Sequence, residues 1–103
     1  MNIPRSIKFF WQRVTRGWDD SDTWDLRLAN AKFFVPRLKR FKELNICIPE
    51  GLTSKEWDDI LDEIIWMFEL NINDGLLIVD EEEQNRYDKA FELFCKYYHD
   101  LWW

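Results

Sequence analysis

Between Trp57 and Phe68 the apolar residues Trp57, Ile60, Leu61, Ile64, Ile65 and Phe68 fall three and four positions apart. That spacing gathers all six on one side of an α-helix, whereas a strand would scatter them over both faces. Thr53-Ser54-Lys55-Glu56 precedes the run and forms a capping box. In it the Thr53 hydroxyl and the Glu56 carboxylate exchange hydrogen bonds with backbone amides that the helix leaves free. Asn73-Asp74-Gly75 supplies a turn signal where the run ends. With only three Gly and three Pro in 103 residues, the chain argues against a turn-rich β-sandwich.

Three more helices are predicted around this one. The first runs from about Pro4 to Arg16, with proline at an early position and Gly17 as the stop. The second opens at Ser21 or Asp22, either of which can cap, and carries the stripe Trp24, Leu28, Ala31, Val35, Leu38. Pro36 lies inside that stripe and is expected to kink or split the helix near Phe34, because it removes a donor and crowds the preceding turn. The fourth opens at Asp80, with Glu83 three residues on, and its stripe is Tyr87, Ala90, Phe91, Phe94, Tyr98 and Leu101. Leu76–Val79 reads equally as a β-stretch or a helix entry. The expected fold is all-α: residues 1–103 form a single domain, a small bundle of about four helices.

Charge divides the chain. Residues 1–45 hold ten Lys and Arg against five acids, and residues 46–103 hold four against fifteen, so +5 and −11 give the net −6. Such asymmetry brings the halves together within one molecule or joins molecules head to tail. The two cysteines, Cys47 and Cys95, match no metal or redox spacing and are expected to be reduced, with Cys95 buried in its helical stripe. The N-terminus lacks the apolar core of a secretion signal, and no apolar run approaches the ~20 residues of a membrane span. A soluble cytoplasmic protein without membrane contact is the expectation.

Little in the sequence carries catalytic chemistry. His99 is the single histidine, and no partner for it is evident. The three glycines form no phosphate loop. Asp58, Asp59, Asp62 and Glu63 sit at helical i, i+4 spacing, yet di-metal bundles add histidine from Glu-x-x-His motifs and this helix has none. Glu81-Glu82-Glu83 suits the positive end of a helix dipole. The chain is read as a non-enzyme, with no cofactor implied and no metal ligands.

Binding residues are better represented, since eighteen aromatics include seven Trp. Arg16-Gly17-Trp18-Asp19-Asp20-Ser21-Asp22-Thr23-Trp24 places Arg16, Trp18, Asp20, Asp22 and Trp24 in one inter-helix loop. Structurally, Asp22 caps, Trp24 anchors the core and Arg16 pairs with an aspartate. Functionally, Trp and Arg are the residue types of interface hot spots, and they also suit stacking on a nucleobase and holding its phosphate. Pro36-Arg37-Leu38-Lys39-Arg40-Phe41-Lys42 adds a basic amphipathic stretch with Arg37 and Arg40 as candidate phosphate contacts, although overall acidity argues against general nucleic-acid binding. The end, Leu101-Trp102-Trp103, is unusually apolar for a terminus. Trp102 and Trp103 are expected to dock on the chain's own core or on another subunit.

These motifs, taken in order, resemble a family of small, mostly uncharacterised proteins encoded by bacteriophages and prophages. The resemblance rests on Trp11-Gln12-Arg13, on Arg16-Gly17-Trp18 running into Ser21-Asp22-Thr23-Trp24, and on Pro36-Arg37-Leu38. It continues through Pro49, Glu56-Trp57, Ile60-Leu61-Asp62-Glu63 and Phe68-Glu69 to the aromatic close at Leu101-Trp102. It implies a phage context, in which small accessory proteins inhibit host machinery or disable bacterial immunity, and it carries no catalytic residues over. The leading expectation is a non-catalytic protein in the host bacterial cytoplasm that inhibits a host defence or host process through protein–protein contacts. Its partner would be a host protein or a second copy in a homo-oligomer. Alternatives are an oligomeric sponge for a nucleotide immune signal, an acidic DNA mimic, and a virion or packaging component.

Overall fold

The computed structural model describes residues 4–73 and 80–102, and over these every regular element is helical. Helix α1 spans Arg5–Arg16, α2 Leu26–Leu44, α3 Ser54–Asn73 and α4 Glu81–Tyr97, with short 3-10 turns at Asp20–Thr23 and Tyr98–Asp100. The expected all-α class holds. The chain divides into two compact units, Met1–Asn30 and Ala31–Trp103.

In the first unit, α1 ends as the sequence predicts. Gly17 adopts a left-handed φ of +84°, which a side chain resists, and its amide reaches back 2.9 Å to the Arg13 carbonyl. The next element departs from expectation. Ser21 and Asp22 do not open the second helix; they lie within the first 3-10 turn, capped by Asp19. Helix α2 begins later, after Asp25, whose carboxylate accepts the Leu28 amide at 3.2 Å and whose carbonyl accepts that of Ala29. Four side chains able to cap crowd residues 19–22, and bonds to their own neighbouring amides stabilise a separate turn before the helix starts.

The second unit is built on α3. Trp57, Leu61, Ile64, Ile65, Met67 and Phe68 are buried there, against Ala31 and Leu38 of α2 and Ala90 of α4. Both alanines are almost wholly excluded from solvent, and Ala90 lacks bulk that would hold α3 and α4 apart. Aromatic rings fill the rest. Phe34 stacks on Phe68 at 5.2 Å between centroids, Phe94 meets both edge-on, and Trp57 meets Tyr97 edge-on at 5.5 Å. Asn71 is the polar residue admitted to this core, bonded to the Met67 carbonyl and the Tyr87 hydroxyl, each at 3.1 Å. The capping box of α3 forms as predicted, with Glu56 accepting from the Thr53 amide and Thr53 from the Glu56 amide.

Helix α2 is not split at Pro36, since residues on both sides are helical. Proline leaves carbonyls of the preceding turn short of donors. The Arg37 guanidinium donates to the Phe33 carbonyl in that turn at 3.0 Å. On α4, Asp80 caps as expected by accepting the Glu82 amide. The buried stripe, however, runs Tyr87, Ala90, Leu93, Phe94, Tyr97, so Phe91 and Tyr98 stand in solvent. The same rotation corrects the expectation for Cys95, which is exposed, as is Cys47. Leu76–Val79 and the end of the Asn73-Asp74-Gly75 turn lie outside the described residues.

Candidate functional site

In the first unit the basic side of α1 closes onto the 3-10 turn. Lys8, Gln12 and Arg16 lie four apart and form one ridge, and all three converge on Asp20. Gln12 holds Asp20 twice, donating to its carboxylate at 2.8 Å and accepting its amide at 2.7 Å. One turn around, Arg13 pairs with Asp19, which is only 3% exposed. Asp19 also accepts from the Ser21 amide and hydroxyl, and its own amide donates to the Asp22 carboxylate.

These bonds set the acidity of both aspartates. The Ser21 hydroxyl, then the Arg13 guanidinium, hold the Asp19 carboxyl below its ordinary range despite opposing desolvation. Gln12 and then Arg16 do the same for Asp20. Arg16 makes its contacts within the unit. It bonds the Trp18 carbonyl at 3.1 Å and Asp20 at 2.7 Å, and its guanidinium lies 3.7 Å over the Trp18 ring. The structure therefore unites Arg16, Trp18, Asp20 and Asp22, and the expected Arg16–aspartate pair is present.

Trp24 does not anchor the core. It is 66% exposed, with Phe9 edge-on at 5.6 Å and Arg5 over its ring. The displaced start of α2 explains this, because Trp24 precedes the helix whose stripe it was expected to begin. The other side of α1 is apolar and exposed. Ile7, Phe10, Trp11 and Val14 recur at helical spacing and are all exposed, Trp11 by 60% and Val14 by 62%. This apolar face is legible in the sequence as an i, i+3, i+4, i+7 pattern, which the proline and glycine that bound α1 do not by themselves reveal.

In the second unit, the basic stretch of α2 is largely paired. Lys39 meets Glu69 at 3.1 Å and Lys42 meets Asp62 at 2.7 Å, so basic and acidic halves pair within one molecule here. Lys42's ammonium is pushed up by the Asp62 hydrogen bond and the carboxylates around it. Arg40 pairs with Glu43, and Arg37 lies over the Phe33 ring. Arg86, which sequence reading passed over, holds Glu63 with two bonds of 2.9 and 3.0 Å and covers the Trp66 ring at 3.8 Å.

A second apolar surface emerges from α2 and α4. Phe33 touches Phe34, which touches Phe94, and Phe94 touches Phe91 and Tyr98. Phe33, Phe91 and Tyr98 are the exposed members of that chain of rings. At the terminus Leu101 packs on the core while Trp102 remains 68% exposed beside a shallow hollow formed with Cys47, Ile48 and Pro49. Trp103 lies outside the described residues.

Among the described residues no three His, Cys, Asp or Glu side chains cluster as metal ligands, and no helix is long and apolar enough to cross a membrane. No family model, curated protein or solved structure matches the chain.

Proposed function

We propose that this chain is a non-catalytic helical binding protein, phage-encoded and active in the bacterial cytoplasm, that inhibits a host defence or host process through protein–protein contacts. The observation behind the reading is the clustering of its exposed apolar side chains. Ile7, Phe10, Trp11 and Val14 share one face of α1, and Phe33, Phe91 and Tyr98 belong to one connected set of rings. Scattered surface hydrophobics need no explanation, whereas contiguous ones mark interaction sites. The phage context comes from the resemblance in Trp11-Gln12-Arg13, Arg16-Gly17-Trp18 and the motifs that follow.

The nucleotide-sponge alternative draws no support from Arg16 and Trp18, since that guanidinium is already occupied by Asp20, a backbone carbonyl and the indole ring. The DNA-mimic alternative gains nothing from Asp62, Glu63 and Glu69, each paired with a cation of the same unit.

Native mass spectrometry of the tagged protein, purified gently from bacterial lysate, tests the proposal. The expected result is a stoichiometric host protein that is lost when Phe91→Ala and Tyr98→Ala are combined. A chain carrying only a small extra mass would replace this reading with the sponge.

A further inference from the structure

The apolar face of α1 is the surface for which the structure points to an occupant. Ile7, Trp11 and Val14 are spaced four and three apart, the seam of two packed helices, and Phe10 widens it. All four are about half exposed or more, and together they offer on the order of 500 Å². Two such faces laid together bury roughly 1,000 Å², the lower bound for a specific interface and the size of a weak, concentration-dependent one.

Charge narrows the choice of partner. Helix α1 carries Arg5, Lys8, Arg13 and Arg16 and no acid, which on its own would favour an anionic lipid surface. Three of those cations are held by Asp19 and Asp20. Residues 1–30 carry five bases and four acids, so the unit is close to neutral at +1, and the whole chain stands at −6. A near-neutral unit with an apolar face meets its own copy without like-charge repulsion, while little free cation is left for lipid.

We infer that α1 is a self-association surface: Ile7, Phe10, Trp11 and Val14 of one copy pack against the same residues of a second copy, giving a two-fold dimer. A two-fold contact uses the same patch on both copies. An antiparallel arrangement sets each helix's positive end beside its partner's negative end. The inference rests on reading the chain as a binding protein only in treating its exposed faces as functional. It is decided by mass, not by capture of any other protein.

Sedimentation velocity of the full chain over micromolar to millimolar concentrations tests it. A species of twice the chain mass is expected, with a dissociation constant at least about thirtyfold higher for Trp11→Gln, as for loss of a hot-spot aromatic. Val14→Gln is expected to act in the same direction, and Trp102→Gln to leave the dimer intact. Far-UV circular dichroism of each variant checks that helix content is retained, which the exposure of Trp11 and Val14 leads one to expect. A monomer at every concentration overturns the inference. So does a dimer indifferent to both α1 substitutions, or one abolished by Trp102→Gln. Flotation of a monomer with anionic phosphatidylserine vesicles, lost in Trp11→Gln, would assign the face to lipid and overturn it as well. None of these outcomes bears on whether a host protein binds the α2–α4 rings.

Discussion

In the second unit Trp57, Leu61, Ile64 and Met67 are almost wholly withdrawn from water and the charges stand outside. In the first, among the described residues, the buried one is Asp19, and isoleucine, phenylalanine and tryptophan face the solvent. One unit follows the usual economy of folded domains, with apolar area removed from water as the main driving force. The other is closed by charge-assisted hydrogen bonds between near neighbours in sequence, and its apolar side chains are displayed. The contrast separates two arrangements within about a hundred residues: α3 and its neighbours bury their apolar side, and α1 displays it.

The comparison breaks most visibly in the core. Trp57→Ala or Leu61→Ala is expected to destabilise the second unit by about 3–5 kcal/mol, since each empties a filled site. Urea unfolding followed by circular dichroism measures this, and Trp11→Ala under the same conditions should move stability by no more than about 0.5 kcal/mol. A large loss from Trp11→Ala would mean that α1's face is already covered within the chain.

The converse substitution is Asp19→Ala, which removes partners from Arg13, Ser21 and the turn's backbone together. Hydrogen exchange should show lost protection at the Ser21 and Asp22 amides while Leu61 and Ile64 stay protected. Acid sharpens the same division. Asp19 and Asp20 have carboxyls held below the ordinary 3.8, so their contribution is fully present above that value and is lost as pH falls through the lowered ones. Carboxyl carbon shifts followed by NMR from neutrality into strong acid should report both titrations, with the first unit's amide protection falling in step below about pH 3.8.

Smaller effects belong to the surface of the second unit. Thr53→Ala removes one arm of the α3 capping box and should cost about 1 kcal/mol. Arg86→Gln gives up both Glu63 bonds and the cover over Trp66, for an expected cost near 1 kcal/mol. Lys42→Gln, which loses an exposed pair with Asp62, should cost about 0.5 kcal/mol or less. Thermal denaturation of the three variants side by side checks the ranking.

The fold was legible where local chemistry and burial agree. Apolar spacing and the capping box mark α3, and Pro4 and Gly17 bracket α1, because those signals act within one turn of helix. Legibility failed where two local signals competed. Asp19, Asp20, Ser21 and Asp22 can each cap, and sequence does not rank them, so the start of α2 was placed too early and Trp24 was assigned to the core. On α4 Tyr87, Ala90, Phe94 and Leu101 face the core as the stripe predicts, while Phe91 and Tyr98 give way to Leu93 and Tyr97, which fit the helical period as well, so that only packing decides between them. Of the candidate site, the grouping of Arg16, Trp18, Asp20 and Asp22 followed from their closeness in sequence. The parts played by Gln12 and Arg13 did not, because nothing in their own neighbourhood says which side of α1 the returning turn will meet.

The bonds that close the first unit join residues at most twelve apart, from Lys8 to Asp20, whereas the core of the second waits for Ala31 and Ala90 to be drawn into one cluster. Closing a loop of about ten residues takes roughly 10–100 ns. A ribosome adds about 5–20 residues per second, so residues 31–90 take several seconds to appear. Helix α1 and its turn can therefore be complete, with Ile7, Phe10, Trp11 and Val14 already presented, while α3 and α4 are still being made. Order of synthesis would then become order of assembly: a nascent chain could find another through α1 before either had finished folding.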